Sequence, residues 1–282
     1  HNFNFLYSIW EFQHKNIPFF PEYRNNFIDN RDSQYNFATK RAFRIILGNK
    51  RYKKDFSKDY NFNEERISIV NFPPYISRKE SNINNEILEE KIKGKKFLFY
   101  PAQFWAHKNH EYLVSALTEH NNNDNNDKIY CVFTSVNNDK GNLSYIKKLI
   151  EKKNSQKYFI LFDYLSDEDI TKIYKKCFAV IFPSYVGSHS FPLWEGFYFK
   201  KPVIFNQYTL DSDLKKFVFQ LDIHSTKSLT EKIDLINNSV ETQNIIDQSN
   251  KYYNSIFDEK YILKDIKKII NDYLDYSKKW KF

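Results

Sequence analysis

Three polar residues and one acid stand between two apolar runs in the second half of the chain. The runs AVIFPS and PVIF have the composition of buried parallel strands. Between them lie Ser188, His189 and Ser190, followed by a short predicted helix, residues 191–199, that carries Glu195 about one turn in. A loop from a strand's carboxyl end to a helix N-terminus presents free amides and the positive end of the helix dipole. This segment therefore predicts a site for an anionic ligand.

A second polar segment follows another predicted strand, in the sequence YPAQFWAHKNHEYLVSAL. Its polar residues before the helix are Gln103, His107, Lys108 and Asn109. Lys108 supplies a compact positive charge suited to a phosphate, and the two carboxylate oxygens of Glu195 suit sugar hydroxyls. If both segments leave the same edge of one sheet, they face a single crevice, and that crevice would suit a phosphorylated sugar or nucleotide.

The elements that must position these residues alternate regularly. The expected strands and helices between residues 96 and 206 are strands 96–100, 128–134, 158–162, 178–183 and 202–206, with helices 110–119, 143–153, 167–176 and 191–199. Strands that alternate with helices at this spacing predict a parallel, doubly wound α/β sheet. A short strand within 217–223 and helices over 225–237, 242–257 and 260–280 are expected to follow.

The N-terminal third has its own pattern of strands and helices. We expect strands in FNFLYSIW, FRIILG and SIVNF and a helix from about residue 30 to 41. The polar stretch 77–95 is typical of a linker. These patterns predict an N-terminal domain over 1–90, a second domain over 91–257 and a C-terminal helical segment over 258–282.

Composition narrows the class of protein. With 282 residues, 41% of them hydrophobic and 18% aromatic, the chain can bury large cores. The net charge of +8 comes from lysines interspersed with acids, which is typical of solvated helix faces and argues against a nucleic-acid stripe. The sequence contains neither of the glycine-rich phosphate motifs GxxxxGK[ST] and GxGxxG.

The cysteines and the N-terminus bear on compartment. Cys131 and Cys177 lie in apolar segments, which predicts reduced core thiols, and neither has the spacing of a metal ligand set. A reducing cytoplasm is therefore expected. The sequence starts at His1 and contains no Met, so we expect it to be a piece of a longer product.

At the two polar segments the chain resembles the GT-B glycosyltransferases, in particular the retaining nucleotide-sugar enzymes of glycosyltransferase family 4. In that family a basic residue and a lysine five positions later bind the donor diphosphate, and a Glu-x7-Glu motif precedes a PVI strand. Lys108 matches the lysine and Glu195 the second glutamate. Gln103 replaces the usual arginine and Gly187 the first glutamate, which we interpret as the character of one branch.

The N-terminal part carries a weaker resemblance. The segment SIWEFQHKNIPFFPEY is similar to a WDLQHR-type segment of the family, which implies that Glu11, His14 and Arg24 lie near the interdomain cleft. IILGNKRYKKDF is similar to the strand and turn before a helix, and that helix would carry Lys53. The implied fold is α/β of GT-B type with two Rossmann-like domains, the N-terminal one incomplete in this chain.

The resemblance implies a retaining enzyme that moves a hexose or similar sugar from a nucleoside-diphosphate donor to a hydroxyl of a glycan or lipid-linked glycan, as in polysaccharide or O-antigen synthesis. Lys108 and Gln103 would hold the diphosphate and Glu195 the ribose. The donor would also contact Gly187, Ser188, His189, Ser190, Phe191, His107 and Asn109. Attack on the donor's front face needs no metal, no cofactor and no dedicated base.

Structural alternatives stand beside these roles. Glu195 could be a surface acid near a helix start, Lys108 a solvated loop lysine, and the serines simple helix caps. Glu11 and His14 could serve packing alone. The chain could also be a catalytically silent GT-B module that binds a nucleotide or glycan, or a basic scaffold at the inner face of an anionic membrane. The last helix could cross back to the N-terminal domain or pack on its own.

Overall fold

The computed structural model describes residues 5–76, 85–134, 142–187, 190–237 and 239–278. The chain divides into two compact units. Unit 1 comprises His1–Pro73 and Asn254–Phe282, and unit 2 comprises Pro74–Tyr253. Each unit contains one sheet of parallel strands with helices, so the predicted α/β class is confirmed.

Unit 1 is built on a three-stranded sheet. Its strands β1 (Phe5–Ile9), β2 (Ala42–Leu47) and β3 (Ile67–Ile69) lie in the order β1-β2-β3, with helices α1 (Phe27–Arg41) and α2 (Tyr52–Asp59) in the connections. The core of this unit contains Phe12, Ile45 and Phe56, each at most 1% exposed. Aromatic and branched residues dominate these strands because they pack well on a pleated surface.

Unit 2 contains a six-stranded parallel sheet. Its elements in chain order are α3 (Glu86–Ile92), β4 (Phe97–Tyr100), α4 (His110–Asn122), β5 (Tyr130–Thr134), α5 (Asn142–Lys152), β6 (Phe159–Phe162), α6 (Asp167–Lys176), β7 (Ala179–Phe182), α7 (Phe191–Tyr198), β8 (Val203–Asn206), β9 (Phe219–Leu221), α8 (Lys227–Asn237) and α9 (Ser239–Ile256). The strand order is β6-β5-β4-β7-β8-β9. Strands β4, β7 and β8 are buried along their whole length, which explains why they appear in the sequence as unbroken apolar runs.

The division between the units falls after Pro73, whereas the polar stretch 77–95 suggested residue 90. The reason is that α3 is tied to α6 in unit 2. Asn85 Nδ2 donates to Asp169 Oδ2 at 2.9 Å, and Lys176 pairs with Glu89.

The last helix, α10 (Glu259–Lys278), lies within unit 1. Arg44 of β2 forms an ion pair with Asp272 at 2.9 Å, and the Phe43 ring contacts Tyr273 and Tyr276 with centroids 5.5 and 4.9 Å apart. Tyr273 and Tyr276 of this helix therefore pack on the strand that precedes α2.

Both cysteines are buried free thiols, and burial raises the pKa of each. The prediction of reduced core residues is thus confirmed. In the described part of the chain, no helix combines the length and the apolar character needed to span a bilayer.

Candidate active site

The strand order of unit 2 reverses between β4 and β7. Numbered from its own first strand, the sheet has the order 3-2-1-4-5-6, and β4 pairs with β7 through Leu98↔Ala179 and Phe99↔Val180. The loops that follow these two strands, residues 101–109 and 183–190, leave the same edge in different directions. In doubly wound sheets this switch point is where a crevice opens and ligands bind. The described residues of both polar segments singled out in the sequence belong to these loops or to the helix after the second one.

Direct hydrogen bonds join the two loops. The carbonyl of His107 accepts from the Tyr185 amide at 2.9 Å and from Ser184 Oγ at 3.1 Å. Asn109 Nδ2 donates to the Pro183 carbonyl at 3.2 Å. The side chains of His107 and Asn109 are both buried. The hydrogen bonds of these two candidate ligands described above hold the two loops together.

Asn109 also explains how α4 begins. Its backbone lies in the left-handed region, φ 57°, which Asn tolerates better than most residues, and its Oδ1 accepts from the Tyr112 amide at 3.3 Å. The chain can therefore turn sharply from the loop into the helix directly after Lys108.

Lys108 and Gly187 border the same aromatic ring. Lys108 is half-buried, with Nζ 5.5 Å from the centroid of Phe182. Gly187 has φ +98°, and a Cβ at this position would meet the same ring at 3.7 Å. The Lys108 carbonyl accepts from the buried Tyr100 hydroxyl at 2.7 Å, which fixes the main chain beneath the ammonium group. Burial raises the pKa of Tyr100, so this donor stays neutral.

Two polar atoms of the loops have no hydrogen-bond partner among the described residues. They are Gln103 Oε1 and Ser190 Oγ, both buried. Ser190 occupies the cap position of α7, yet its side chain makes no cap bond there. Phe191 is 43% exposed at the start of the helix. Ser188 and His189 lie outside the described residues.

Glu195 is held by a tyrosine from the neighbouring helix. The Tyr174 hydroxyl of α6 donates to Glu195 Oε2. Tyr174 is fully buried, with its ring centroid 4.8 Å from that of Phe99 and 5.1 Å from that of Phe199. Burial raises the pKa of Glu195 to about 7; the Tyr174 bond opposes this, and the charge of Asp167 adds to it. Glu195 is therefore a carboxyl that titrates near neutral pH.

Close packing sets the position of α7. A Cβ on Gly196 would lie 2.5 Å from Val203 Cγ2 and 3.4 Å from Val180 Cγ2, so the helix approaches β7 and β8 as only a glycine permits. Val180 pairs with Phe99, which places α7 on the face of the sheet that Phe99 covers.

The opposite face belongs to α4. Tyr100 follows Phe99 in β4, so its side chain points the other way, and its ring contacts His110 of α4 with centroids 4.8 Å apart. Helices α4 and α7 thus flank the switch point from the two faces. Lys108 precedes the first helix and Glu195 lies in the second.

Unit 1 places three of its four candidate residues after its parallel strands. Glu11 and His14 follow β1, and Lys53 lies in the first turn of α2 after β2. The Phe12 ring contacts Tyr52 with centroids 5.3 Å apart, which joins the two segments. Arg24 is exposed and lies just before α1, apart from the elements after β2.

The polar groups of Glu11 and His14 are tied to α1. Glu11 pairs with Arg31, and His14, which is fully buried, has Nε2 3.0 Å from Asp32 Oδ1. Tyr60 donates to the same Asp32 oxygen at 2.6 Å. Among the described residues, no cluster of three or more His, Cys, Asp or Glu side chains has the arrangement of a metal site.

A family model of known proteins matches the part of the chain that contains this site. The family model described as "Glycosyl transferases group 1" matches residues 83–252, more than half of the chain. The chain belongs to the glycosyl transferases group 1 family. The matched segment contains both loops of the switch point. No curated protein gives a significant match to the sequence.

Solved glycosyltransferase structures share the fold. Anabaena HepE in complex with UDP-glucose superimposes with a TM-score of 0.73 at 12% identity, over 95% of this chain and 72% of HepE. Sucrose-phosphate synthase of Thermosynechococcus elongatus superimposes with a TM-score of 0.76 at 11% identity, over 98% of this chain and 69% of the synthase. A TarM variant of S. aureus was solved in complex with Fondaparinux, alpha-GlcNAc-glycerol and UDP. It superimposes with a TM-score of 0.67 at 16% identity, over 88% of this chain and 48% of TarM. The predicted GT-B fold of this group 1 glycosyltransferase chain is confirmed.

Sequence reasoning missed three residues that shape the site. Tyr174 orients Glu195, Gly196 lets α7 approach the sheet, and the buried Asn206 donates from its Nδ2 to the Ser184 carbonyl at 2.9 Å. Tyr174 lies on the buried stripe of an amphipathic helix, and a buried tyrosine hydroxyl needs a partner. That requirement was the signal available in the sequence, although it does not name the partner.

Proposed function

We propose that this chain acts as a retaining glycosyltransferase that moves a sugar from a nucleoside-diphosphate donor to a hydroxyl of a glycan or lipid-linked glycan. The observation that carries the proposal is the switch point of unit 2, where the loop of Lys108 follows β4 and the helix of Glu195 follows the neighbouring strand β7. Membership of a glycosyltransferase family supports it. The complex of the similar HepE with UDP-glucose supports a nucleotide-sugar donor.

Lys108 is the proposed ligand of the donor diphosphate. Its ammonium group neutralises the charge that accumulates on the departing phosphates, and Gln103 adds a neutral amide donor. The amides at the start of α7 add the positive end of a helix dipole. Glu195 accepts hydrogen bonds from the ribose hydroxyls of the nucleotide.

The proposed reaction keeps the configuration at the sugar. The bond between the anomeric carbon and the phosphate oxygen breaks, and the acceptor oxygen forms its bond on the same face. The acceptor's proton passes to an oxygen of the departing phosphate, so no protein side chain acts as base. Lys108 supplies positive charge at the leaving group, a role that here needs neither a metal ion nor a cofactor.

The acceptor side is assigned to unit 1. Glu11, His14, Arg24 and Lys53 are the proposed contributors, on the strength of the resemblance in the N-terminal segment. TarM was solved with alpha-GlcNAc-glycerol, which supports a surface glycan as acceptor. We place the reaction in the cytoplasm, at the inner face of the membrane where the acceptor is lipid-linked.

Calorimetric titration with UDP and with GDP tests the donor site. We expect the wild-type chain to bind one of them, and Lys108→Ala to weaken binding by about 10- to 100-fold, because hydrogen bonds to charged groups contribute about 1.5–3 kcal/mol. Lys148→Ala is the matched control, since Lys148 is an exposed lysine on α5 of the same unit. Equal affinity of the Lys108 variant and the wild type would remove the proposed phosphate ligand.

Transfer itself needs a second assay. A panel of radiolabelled nucleotide sugars with glycan acceptors should yield a product that keeps the anomeric configuration of the donor. Nucleotide binding without transfer or donor hydrolysis by the full-length protein would favour the silent binding module, for which Gln103 and Gly187 at the usual arginine and glutamate positions are the sequence argument.

A further inference from the structure

We propose that Tyr174 is a positioning residue for nucleotide recognition: its hydroxyl holds one oxygen of Glu195 so that the other oxygen is presented, ionised, to the ribose of a nucleoside diphosphate. This inference rests on the proposed function of the crevice. It adds a residue from a different helix to the donor site and makes the preference for a ribonucleotide depend on pH through the Glu195 carboxyl.

The geometry around Tyr174 allows its hydroxyl little freedom. The side chain is 1% exposed, and its ring is packed edge-on against Phe99 of β4 and stacked on Phe199 after α7. Both ring contacts come from elements that border the switch point. A hydroxyl on a ring held this way donates in one direction, and that direction is Glu195 Oε2.

Glu195 depends on this contact. Close packing of Gly196 on Val180 and Val203 holds the helix backbone next to Glu195. The titratable groups that act on it, Tyr174 and Asp167, both belong to α6. Asp167 repels the ionised form, which leaves the tyrosine hydroxyl as the group that favours it.

A carboxylate fixed through one oxygen is suited to a vicinal diol. The remaining lone pairs accept from hydroxyls, whereas a protonated carboxyl would lose part of that capacity. Burial places the pKa of Glu195 at about 7, so the fraction in the accepting form changes across the neutral range. Loss of the Tyr174 bond raises this pKa further, because that bond favours the charged form.

The test compares ribonucleotide with 2′-deoxyribonucleotide. UDP and dUDP, or GDP and dGDP if the guanine nucleotide binds, are titrated into wild type and Tyr174→Phe by calorimetry between pH 5.5 and 8.5. We expect the wild type to prefer the ribonucleotide by about tenfold at pH 8 and the variant by about twofold, since one hydrogen bond to a charged group accounts for such a ratio. The pH midpoint of this preference, in which the titration of the diphosphate cancels, should move upward in the variant.

Two controls separate positioning from general loss of structure. Tyr112→Phe removes another buried tyrosine hydroxyl of unit 2, which donates to the Ser225 carbonyl at 3.0 Å, and should leave both the ratio and the midpoint unchanged. In a Glu195→Gln background, Tyr174→Phe should produce no further change in the ratio. Phenylalanine keeps the ring contacts of Tyr174, so the variant retains the packing around α6.

A measurement without nucleotide keeps the two proposals distinguishable. Carbon-13 NMR of glutamate carboxyls, with Glu195 assigned by Glu195→Gln, should show its titration at higher pH in Tyr174→Phe than in wild type. Unchanged titration together with an unchanged ratio would overturn the role of Tyr174 while nucleotide binding stood. If the wild type bound neither UDP nor GDP, the proposed function would fail, and with it the ribose as the ligand of Glu195, whatever the titration showed.

Discussion

Asp32 in unit 1 and Glu195 in unit 2 each accept a hydrogen bond from a tyrosine hydroxyl, yet their acidities move in opposite directions. Burial alone would raise the pKa of Asp32, but hydrogen bonds from Tyr60 and His14 and the charge of Lys15 outweigh it and lower the pKa. Burial raises the pKa of Glu195 to about 7, because the hydrogen bond from the neutral Tyr174 hydroxyl is too weak to offset the loss of solvation. The difference lies in the deeper burial of Glu195 and in the number and charge of the partners of Asp32.

This contrast separates a structural carboxylate from one that is prepared for a ligand. Asp32 of α1 connects the segment after β1, through His14 and Lys15, with the residue that follows α2, Tyr60, and Lys15 Nζ lies 3.4 Å from its second oxygen. Its interactions are complete without a substrate. Glu195 remains incompletely compensated in the protein alone, which is the condition under which a bound diol gains most.

Asp32→Asn should have the largest effect on stability. The substitution removes a charge that His14, Tyr60 and Lys15 share, and we expect a loss of about 3 kcal/mol in the free energy of unfolding at pH 7, because one partner of a largely buried network is lost. Urea unfolding followed by circular dichroism measures it. Because the folded pKa of Asp32 is lowered, its contribution is fully present above its ordinary value of 3.8 and is lost as the pH falls through the folded pKa.

The control for this change lies on the same helix. Asp29→Asn removes an exposed carboxylate from the first turn of α1 and should cost no more than about 1 kcal/mol, through the helix dipole. If Asp29→Asn and Asp32→Asn destabilised the chain equally, the Asp32 network would have no special structural role, and the contrast with Glu195 would disappear.

Gly196→Ala tests whether packing, rather than charge, holds the site of unit 2. The new Cβ would lie 2.5 Å from Val203 Cγ2 in a buried contact, so α7 or the valine must shift. We expect a loss of about 2 kcal/mol, which is typical of overpacking, measured as a drop in melting temperature. Gly48→Ala in unit 1 is the matched control, because a Cβ there meets nothing within 4 Å.

A second variant identifies the cause of that loss. Val203→Ala removes the clashing methyl group, so the double variant Gly196→Ala, Val203→Ala should be more stable than the sum of the single effects predicts. Strict additivity of the two changes would show that the close approach of α7 to β8 does not limit stability.

Much of unit 2 was predictable because its sequence patterns are unambiguous. The apolar runs that became β4, β7 and β8 are short, continuous and separated by helical segments. Helix α6 is capped by Ser166, whose Oγ accepts from the Asp169 amide at 3.1 Å. The strand order was not predictable from periodicity. It follows from which strands pair, and that pairing created the switch point.

The site was predictable at the level of loops and less so at the level of side chains. Lys108 and Glu195 stand at the ends of apolar runs, which the sequence displays directly. The hydrogen bonds by which His107 and Asn109 join the two loops link residues more than 70 positions apart in the chain. Tyr174 likewise reaches Glu195 from another helix. The spacing of residues along the chain does not predict these contacts.

Glu195→Gln should have an effect of the opposite sign, a gain in stability. The folded pKa of Glu195, about 7, lies above its ordinary value of 4.5, so between these pH values the native state binds more protons than the unfolded state. Wild-type stability therefore falls as the pH rises through this interval, whereas the neutral variant escapes that loss. The two pKa values differ by about 2.5 units, so at about 1.4 kcal/mol per unit we expect Glu195→Gln to be more stable than wild type by up to about 3 kcal/mol at pH 8, with the gap closing below pH 4.5.

Urea unfolding at pH 4.5, 6 and 8 measures this gap, with Glu151→Gln as control because Glu151 is an exposed carboxylate on α5. The same variant should bind nucleotide more weakly, so stability and recognition change in opposite directions at one residue. The Asp32→Asn deficit narrows toward acid pH, while the Glu195→Gln gain is largest toward alkaline pH. If the gain in stability of Glu195→Gln did not vary with pH, packing would be the source of that gain. The ionised Glu195 carboxyl would then be no less favourable in the folded chain than that of Asp32.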